Sequence, residues 1–159
     1  MQDDSAVSQP ATQPAIQPRT EHPPRLVIAD DSSEIRWLVR AAVGEQFAEV
    51  VEVSDGRQLM WTLLQLFMSA RDQVPEIVVI TDVCMPTYDG LAVLDAWTEL
   101  GCDVPLIIIT AFPSALVHAR AQELGAIVLA KPFSTAALRR LIGEIIVRRT
   151  ATSWAPLPA

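Results

Sequence analysis

Cysteine is scarce: Cys84 and Cys102 are the only two in 159 residues, too few for a disulfide scaffold and too isolated for a zinc site. A reducing, cytoplasmic setting is the simplest account of that usage. No apolar run reaches the roughly 18 residues a membrane-spanning helix needs. The amino terminus also lacks the basic-then-apolar pattern of a secretory signal. Positive charge is in short supply as well. Twelve basic residues against nineteen acidic ones leave a net charge of -7. With no basic run or basic helix to serve as a nucleic-acid footprint, this argues against direct DNA binding. Apolar residues are plentiful, at half of the chain. That excludes a wholly disordered protein, and the length suits one domain with a substantial core.

The chain is organised around Ile77-Val78-Val79-Ile80-Thr81-Asp82, a continuous apolar run that ends on an acid and passes into a turn carrying Pro86, Asp89 and Gly90. Such a run reads as a strand buried on both faces. In an open parallel sheet, the loops at the carboxyl ends of the strands form the ligand crevice. Asp82 therefore either points at a ligand or, since Asp is common after strands, merely caps a turn.

Residues 1–24 are rich in Gln, Pro, Thr and Ala and predict a disordered, partly polyproline-like leader. Residues 25–29 form a short apolar strand running into Asp30 and Asp31, after which Ser32 or Ser33 caps a helix carrying Ile35, Leu38, Val39, Ala42 and Val43. Residues 49–53 are a second strand, and Asp55-Gly56 turns the chain into a helix over 57–71. Leu59, Met60, Trp61, Leu63, Leu64, Leu66, Phe67 and Met68 place apolar groups almost all round that helix. Either it is deeply buried, or it carries an exposed patch for a partner or a second copy. A third helix follows over 91–100, then a strand over 104–109 ending at Thr110. A fourth helix over 114–124 is closed by Gly125, and a fifth strand over 127–130 ends on Lys131-Pro132. The last helix starts near Ser134 with Leu138, Leu141, Ile142, Ile145 and Ile146 on one face, and residues 150–159, with Trp154, read as a short free tail or a small recognition motif. Strands and helices alternate five times, which predicts a doubly wound α/β fold, its parallel sheet covered by helices on both faces.

The strand ends supply Asp30 and Asp31, Asp82, Thr110 and Lys131. Three neighbouring carboxylates repel one another and raise their pKa values unless a cation joins them. Oxygen donors completed by water suit Mg²⁺. A carboxylate can also act as a nucleophile toward phosphorus, and phosphoryl transfer needs mainly positioning and charge neutralisation. Lys131 is the only lysine in the chain, so eleven of the twelve basic residues are arginines. A compact point charge on a flexible stem at this position is a different tool from a guanidinium.

Asp30-Asp31, the stretch from Asp82 to Gly90, Thr110-Ala111 and Lys131-Pro132-Phe133 together resemble the receiver domain of two-component response regulators, over about residues 25–148. The resemblance implies a flavodoxin-like sheet of strand order 2-1-3-4-5, with the receiver occupying 25–149. It also implies that Asp82 is the phosphoacceptor, that Asp31 and Asp82 bind Mg²⁺ with Asp30 nearby and the Cys84 carbonyl completing the protein ligands, and that Thr110 and Lys131 contact the phosphoryl group. The Lys131-Pro132 bond would be cis, and the phosphoryl donor a phosphohistidine on a sensor histidine kinase or phosphotransfer protein.

Two departures stand out. Val128 occupies the position where receivers usually carry Tyr or Phe, so the face of helix four, strand five and helix five is expected to switch less, or through other residues such as Phe112. Cys84 and Phe112, two residues beyond Asp82 and Thr110, orient water poorly, and Phe112 is expected to cover the site; both predict slow self-dephosphorylation.

The expected function is a single-domain response regulator that is not an enzyme in the usual sense. It would signal through protein contacts and could pair with a second copy through helix 57–71 or the helix four to helix five face. Three alternatives remain. A receiver-like scaffold is favoured by Val128. A Mg²⁺-dependent aspartyl phosphohydrolase is disfavoured because Cys84 stands where a second acid belongs. A flavin site is disfavoured by the acidic first loop, which would repel a cofactor phosphate.

Overall fold

The structure, a computed structural model, describes residues 24–69, 77–101 and 104–151, excepting the side chains of 148–151. Of the leader expected over 1–24 all but Pro24 lies outside the described residues, as do Arg71, Cys102 and residues 152–159 with Trp154; Thr150 and Ala151, expected in the free tail, instead continue the last helix.

Five strands alternate with five helices: β1 (Arg25–Ala29), α1 (Ser33–Val43), β2 (Glu49–Val53), α2 (Gly56–Ser69), β3 (Ile77–Asp82), α3 (Gly90–Glu99), β4 (Leu106–Thr110), α4 (Ala115–Glu123), β5 (Ile127–Ala130) and α5 (Thr135–Ala151). All strand pairs are parallel and the order is β2-β1-β3-β4-β5, as the alternation and the resemblance implied. The last strand-to-strand differences from expectation are small. β4 begins at Leu106 rather than 104, because Pro105 has no N–H to give the ladder, although its carbonyl accepts from Val79 N at 3.0 Å.

Strand periodicity divides the core. Val27, Ala29, Ile77, Val79, Leu106 and Ile108 face one side and pack against Leu59 and Leu63 of α2, Val93, Leu94 and Trp97 of α3, and Val117 and Ala121 of α4. Leu26, Ile28, Val78, Ile80, Ile107 and Ile109 face the other and pack against Val39, Ala42 and Val43 of α1 and Leu138, Ile142 and Ile145 of α5. Side chains of period two thus serve both faces, and each buried aliphatic contributes about 1.5–3 kcal/mol relative to exposure. β3 and β4 are buried throughout, while β2 and β5, at the edges, are half-exposed.

Helix ends follow local chemistry. Ser32 caps α1, its Oγ accepting from Ile35 N; Asp89 caps α3 through Leu91 N at 2.7 Å; Ser114 caps α4 through Val117 N at 3.2 Å. Gly125, at φ +64°, follows α4 in the left-handed conformation expected of a closing glycine. On α2, Leu59 and Leu63 are buried and Met60 and Leu66 pack at the core's margin, whereas Trp61, Phe67 and Met68 are exposed. The helix is therefore not buried all round, and part of its apolar surface is exposed.

Among the described residues no helix is long and apolar enough to cross a membrane.

Candidate functional site

The strand register converges the polar residues. Ala29 pairs with Thr81, so Asp30 and Asp82 leave adjacent strands at the same level; Asp82 pairs with Ile109 and Thr110 with Ala130, which puts Thr110 one step further on and Lys131 one step beyond that. Lys131 N donates to Thr110 O at 2.8 Å, holding the last two strand ends together. Asp30 (2% exposed), Asp82 (7%) and Thr110 (1%) are buried.

Lys131 Nζ donates to Asp30 Oδ2 at 2.7 Å and to Asp82 Oδ2 at 2.8 Å. Its two partners lie 101 and 49 residues away in sequence, so this bridge is a product of topology. Burial alone would pull the Lys131 ammonium down, but its hydrogen bonds with Asp30 and Asp82 outweigh that and leave its pKa raised. Burial dominates at Asp30 and holds its carboxyl above the ordinary carboxylate value, against the lowering effects of Lys131 and of the Ser32 amide, which donates to Asp30 Oδ1 at 2.9 Å. Asp82 Oδ1 accepts from Cys84 N at 3.3 Å.

Asp31 is exposed at the rim, and one carboxylate oxygen from each of Asp30, Asp31 and Asp82 lies within 4.8 Å of the others. The donors are all hard oxygens, open to water through Asp31. One ammonium shared between two of three acids leaves negative charge over, so the set fits a hard divalent cation.

Glycine sets how closely the loops approach. A Cβ on Gly90 would lie 2.0 Å from Asp82 O, and one on Gly56 would lie 2.1 Å from Tyr88 O. Only glycine allows the β3–α3 loop to fold back on Asp82. Within that loop Thr87 adopts φ 75°, a conformation that is strained for a β-branched residue. The Lys131-Pro132 bond is cis, as the resemblance implied.

Thr110 Oγ1 accepts from Phe112 N at 3.1 Å. The Phe112 ring is 72% exposed and so does not cover the acids. This corrects the expectation from sequence, which could not tell which way the ring turns at a loop position. Val128 is half-buried and, with Ile127, Leu129, Ala137, Arg140, Leu141 and Glu144, lines a hollow of about 250 Å³ between β5 and α5.

Sequence reasoning missed one contact set. Arg36 Nη1 donates to Asp30 O at 2.7 Å and to Asp31 O at 3.3 Å, and its Nε pairs with Glu52 Oε2 at 3.5 Å. The available signal was position: Arg36 lies in the first turn of α1, where side chains lean back toward the helix N-terminus and hence toward the acidic loop.

The sequence model of the family described as response regulator receiver domain matches residues 26–143. Response regulator MprA of Mycolicibacterium vanbaalenii is 33% identical over 131 residues, spanning 80% of this chain and 52% of that protein. Transcriptional regulatory protein PrrA of Mycobacterium tuberculosis is 28% identical over 131 residues, spanning 82% of this chain and 53% of that protein. The chain thus spans about half the length of these curated relatives. Among solved structures, the Vibrio cholerae chemotaxis protein CheY4 is 25% identical and covers 77% of this chain and 98% of its own, with a TM-score of 0.62. Profile, relatives and fold agree over the same segment that carries the acids and the lysine, and the chain belongs to the response regulator receiver domain family.

Proposed function

We propose that this chain is a phosphorylation-controlled signalling module that accepts a phosphoryl group on Asp82 from a phosphohistidine of a sensor histidine kinase or phosphotransfer protein. The observation that carries the reading is the shared ammonium of Lys131 between Asp30 and Asp82. A purely structural acid pair would be satisfied by a wholly buried partner. Here the lysine stands beside an exposed acid, where an incoming group can reach it.

In the transfer a carboxylate oxygen of Asp82 bonds to phosphorus as the phosphorus–nitrogen bond breaks, and the freed imidazole takes up a proton. Lys131 passes from Asp82 to a phosphoryl oxygen while keeping Asp30, and the Thr110 hydroxyl, whose oxygen accepts from the Phe112 amide, donates its proton to another. Asp31 and Asp82, with Asp30 beside them and the Cys84 carbonyl, would hold Mg²⁺, which neutralises phosphoryl charge when bound. The output is a change in protein contacts, since an added charge acts only through its different interactions with two states of the surface. The exposed row on α2 and the face of α4, β5 and α5 are the surfaces proposed for a second copy or a target protein. The domain assignment follows: a receiver over 25–149 between a leader and a tail, in a cytoplasmic setting.

Incubation with a small phosphodonor and Mg²⁺, read by intact mass, tests the reading. One added phosphate is expected on the native protein, and none on Asp82→Asn or in the presence of a chelator. Val128 and the hollow beside it support a second reading, a scaffold with little switching. No phosphate on a folded protein that still binds a partner would favour it.

A further inference from the structure

We infer that Arg36 is the positioning residue of the metal-binding loop: it clamps the backbone of Asp30 and Asp31 so that their carboxylates hold Mg²⁺. The inference rests on the metal reading proposed above and adds a residue to it.

The need for such a clamp follows from where β1 ends. Ladder pairing stops at Ala29, and Asp30 N is still tied to Val53 O at 3.2 Å. Asp30 and Asp31 lie beyond the last paired residues of both ladders. The carbonyl of buried Asp30 requires a donor, and one guanidinium nitrogen supplies it while also reaching the exposed Asp31 carbonyl. Arg36 is itself held. Its Nε pairs with Glu52 Oε2, and Glu52 Oε1 accepts from Arg40 Nη1 at 2.9 Å, so the edge strand β2 and two turns of α1 fix the guanidinium in place. The planar fork matters, because Nε and Nη1 must serve a carboxylate and two carbonyls at once, and an ammonium cannot reproduce that geometry. Side-chain direction at Asp30 and Asp31 is set by the backbone the clamp holds, and outer partners of this kind are commonly worth 10–100-fold in metal affinity.

Charge and geometry make opposite predictions. As a cation beside a cation site, Arg36 repels Mg²⁺, so removing its charge would tighten binding if through-space electrostatics governed. If the clamp governs, binding weakens.

The test compares wild type, Arg36→Gln, Arg36→Lys and Arg25→Gln, measuring Mg²⁺ affinity by titration calorimetry and, with chelator present, hydrogen exchange of the peptide containing Ser32. Arg36→Gln is expected to weaken Mg²⁺ binding about tenfold or more and to speed local exchange. Arg36→Lys, which keeps a cation at the position, is expected to lose most of the same affinity. Arg25→Gln, which pairs with Glu49 at the opposite end of β1 and touches neither carbonyl nor Glu52, is expected to bind within about twofold of wild type. Unchanged or tighter binding by Arg36→Gln overturns the inference, as does wild-type affinity in Arg36→Lys, which alone decides if the Gln variant does not fold. Should wild type bind no Mg²⁺, the metal reading fails on its own account, and the exchange of Arg36→Gln still shows whether the clamp orders the loop.

Discussion

Asp30 is the residue at which stability and function conflict. Its folded-state pKa is raised by burial, so the folded protein holds this proton more tightly than the unfolded chain does. Its contribution therefore favours folding only below the ordinary value of 3.8 and is lost as pH rises through the raised one. At neutral pH the ionised carboxylate is a net cost. Asp30→Asn, measured in chelator at pH 7, is expected to raise Tm. The gain should vanish near pH 3, and the same variant should bind Mg²⁺ more weakly. A lower Tm at pH 7 would show that the Lys131 bond outweighs burial at this site. Lys131, raised by its two acid partners, stabilises the fold fully below 10.5 and loses that contribution only as pH climbs through its raised value, so the bridge is intact across the neutral range. Cys84 and Phe112 set a different property. With an exposed thiol and an exposed ring at those positions, neither side chain orients water toward an acyl phosphate. Making both polar, as Cys84→Asn with Phe112→Asn, is expected to shorten the phospho-lifetime about tenfold or more. A native lifetime of seconds that the double variant leaves unchanged counts against this account.

At the scale of elements, the β3–α3 junction is the least tolerant part of the site. Gly90→Ala drives a methyl to 2.0 Å from a backbone carbonyl that has no rotamer to escape through. We expect a loss of about 3 kcal/mol by urea denaturation, the upper end of overpacking costs, with phosphorylation reduced because the atom displaced is the Asp82 carbonyl. Helix α2 poses the opposite case. After Arg57 it carries no charged residue through Ser69, and Trp61 (59% exposed) and Met68 (72%) stand seven positions apart, on one side of the helix. Trp61→Glu is expected to leave stability within about 0.5 kcal/mol and to abolish concentration-dependent self-association in sedimentation. Identical sedimentation of both proteins at every concentration would remove α2 from the candidate interfaces.

For the whole molecule, a ligand that binds only the folded state stabilises it by mass action. Mg²⁺ at a hundred times its dissociation constant should add about 2.7 kcal/mol. The net charge of -7 also favours any cation through general screening, so the comparison is made against NaCl at equal ionic strength. Asp31→Ala, altering the exposed member of the acid set, should lose most of the Mg²⁺ increment while keeping the salt response. Equal increments from Mg²⁺ and NaCl would mean that the acids hold no specific ion.

Much of this protein is written locally. The run from Ile77 to Ile80, the apolar strand before Asp30 and the alternation with helical periods determine a parallel α/β sheet by themselves, because two-sided burial demands continuous apolar strands and parallel pairing demands crossover helices. Helix caps at Ser32, Asp89 and Ser114 and the turn glycine at Gly125 are equally local, since each depends on backbone within a few residues. Tertiary structure decided the remainder. Lys131 meets Asp30 and Asp82 across 101 and 49 residues, and Arg36, on α1, finds its acid partner on the edge strand β2. Phe112 turns outward, and α2 keeps one apolar face in solvent. A sequence states which groups are available, but the direction of a loop side chain and the pairing of distant charges depend on strand order and register, which exist only once the sheet has formed.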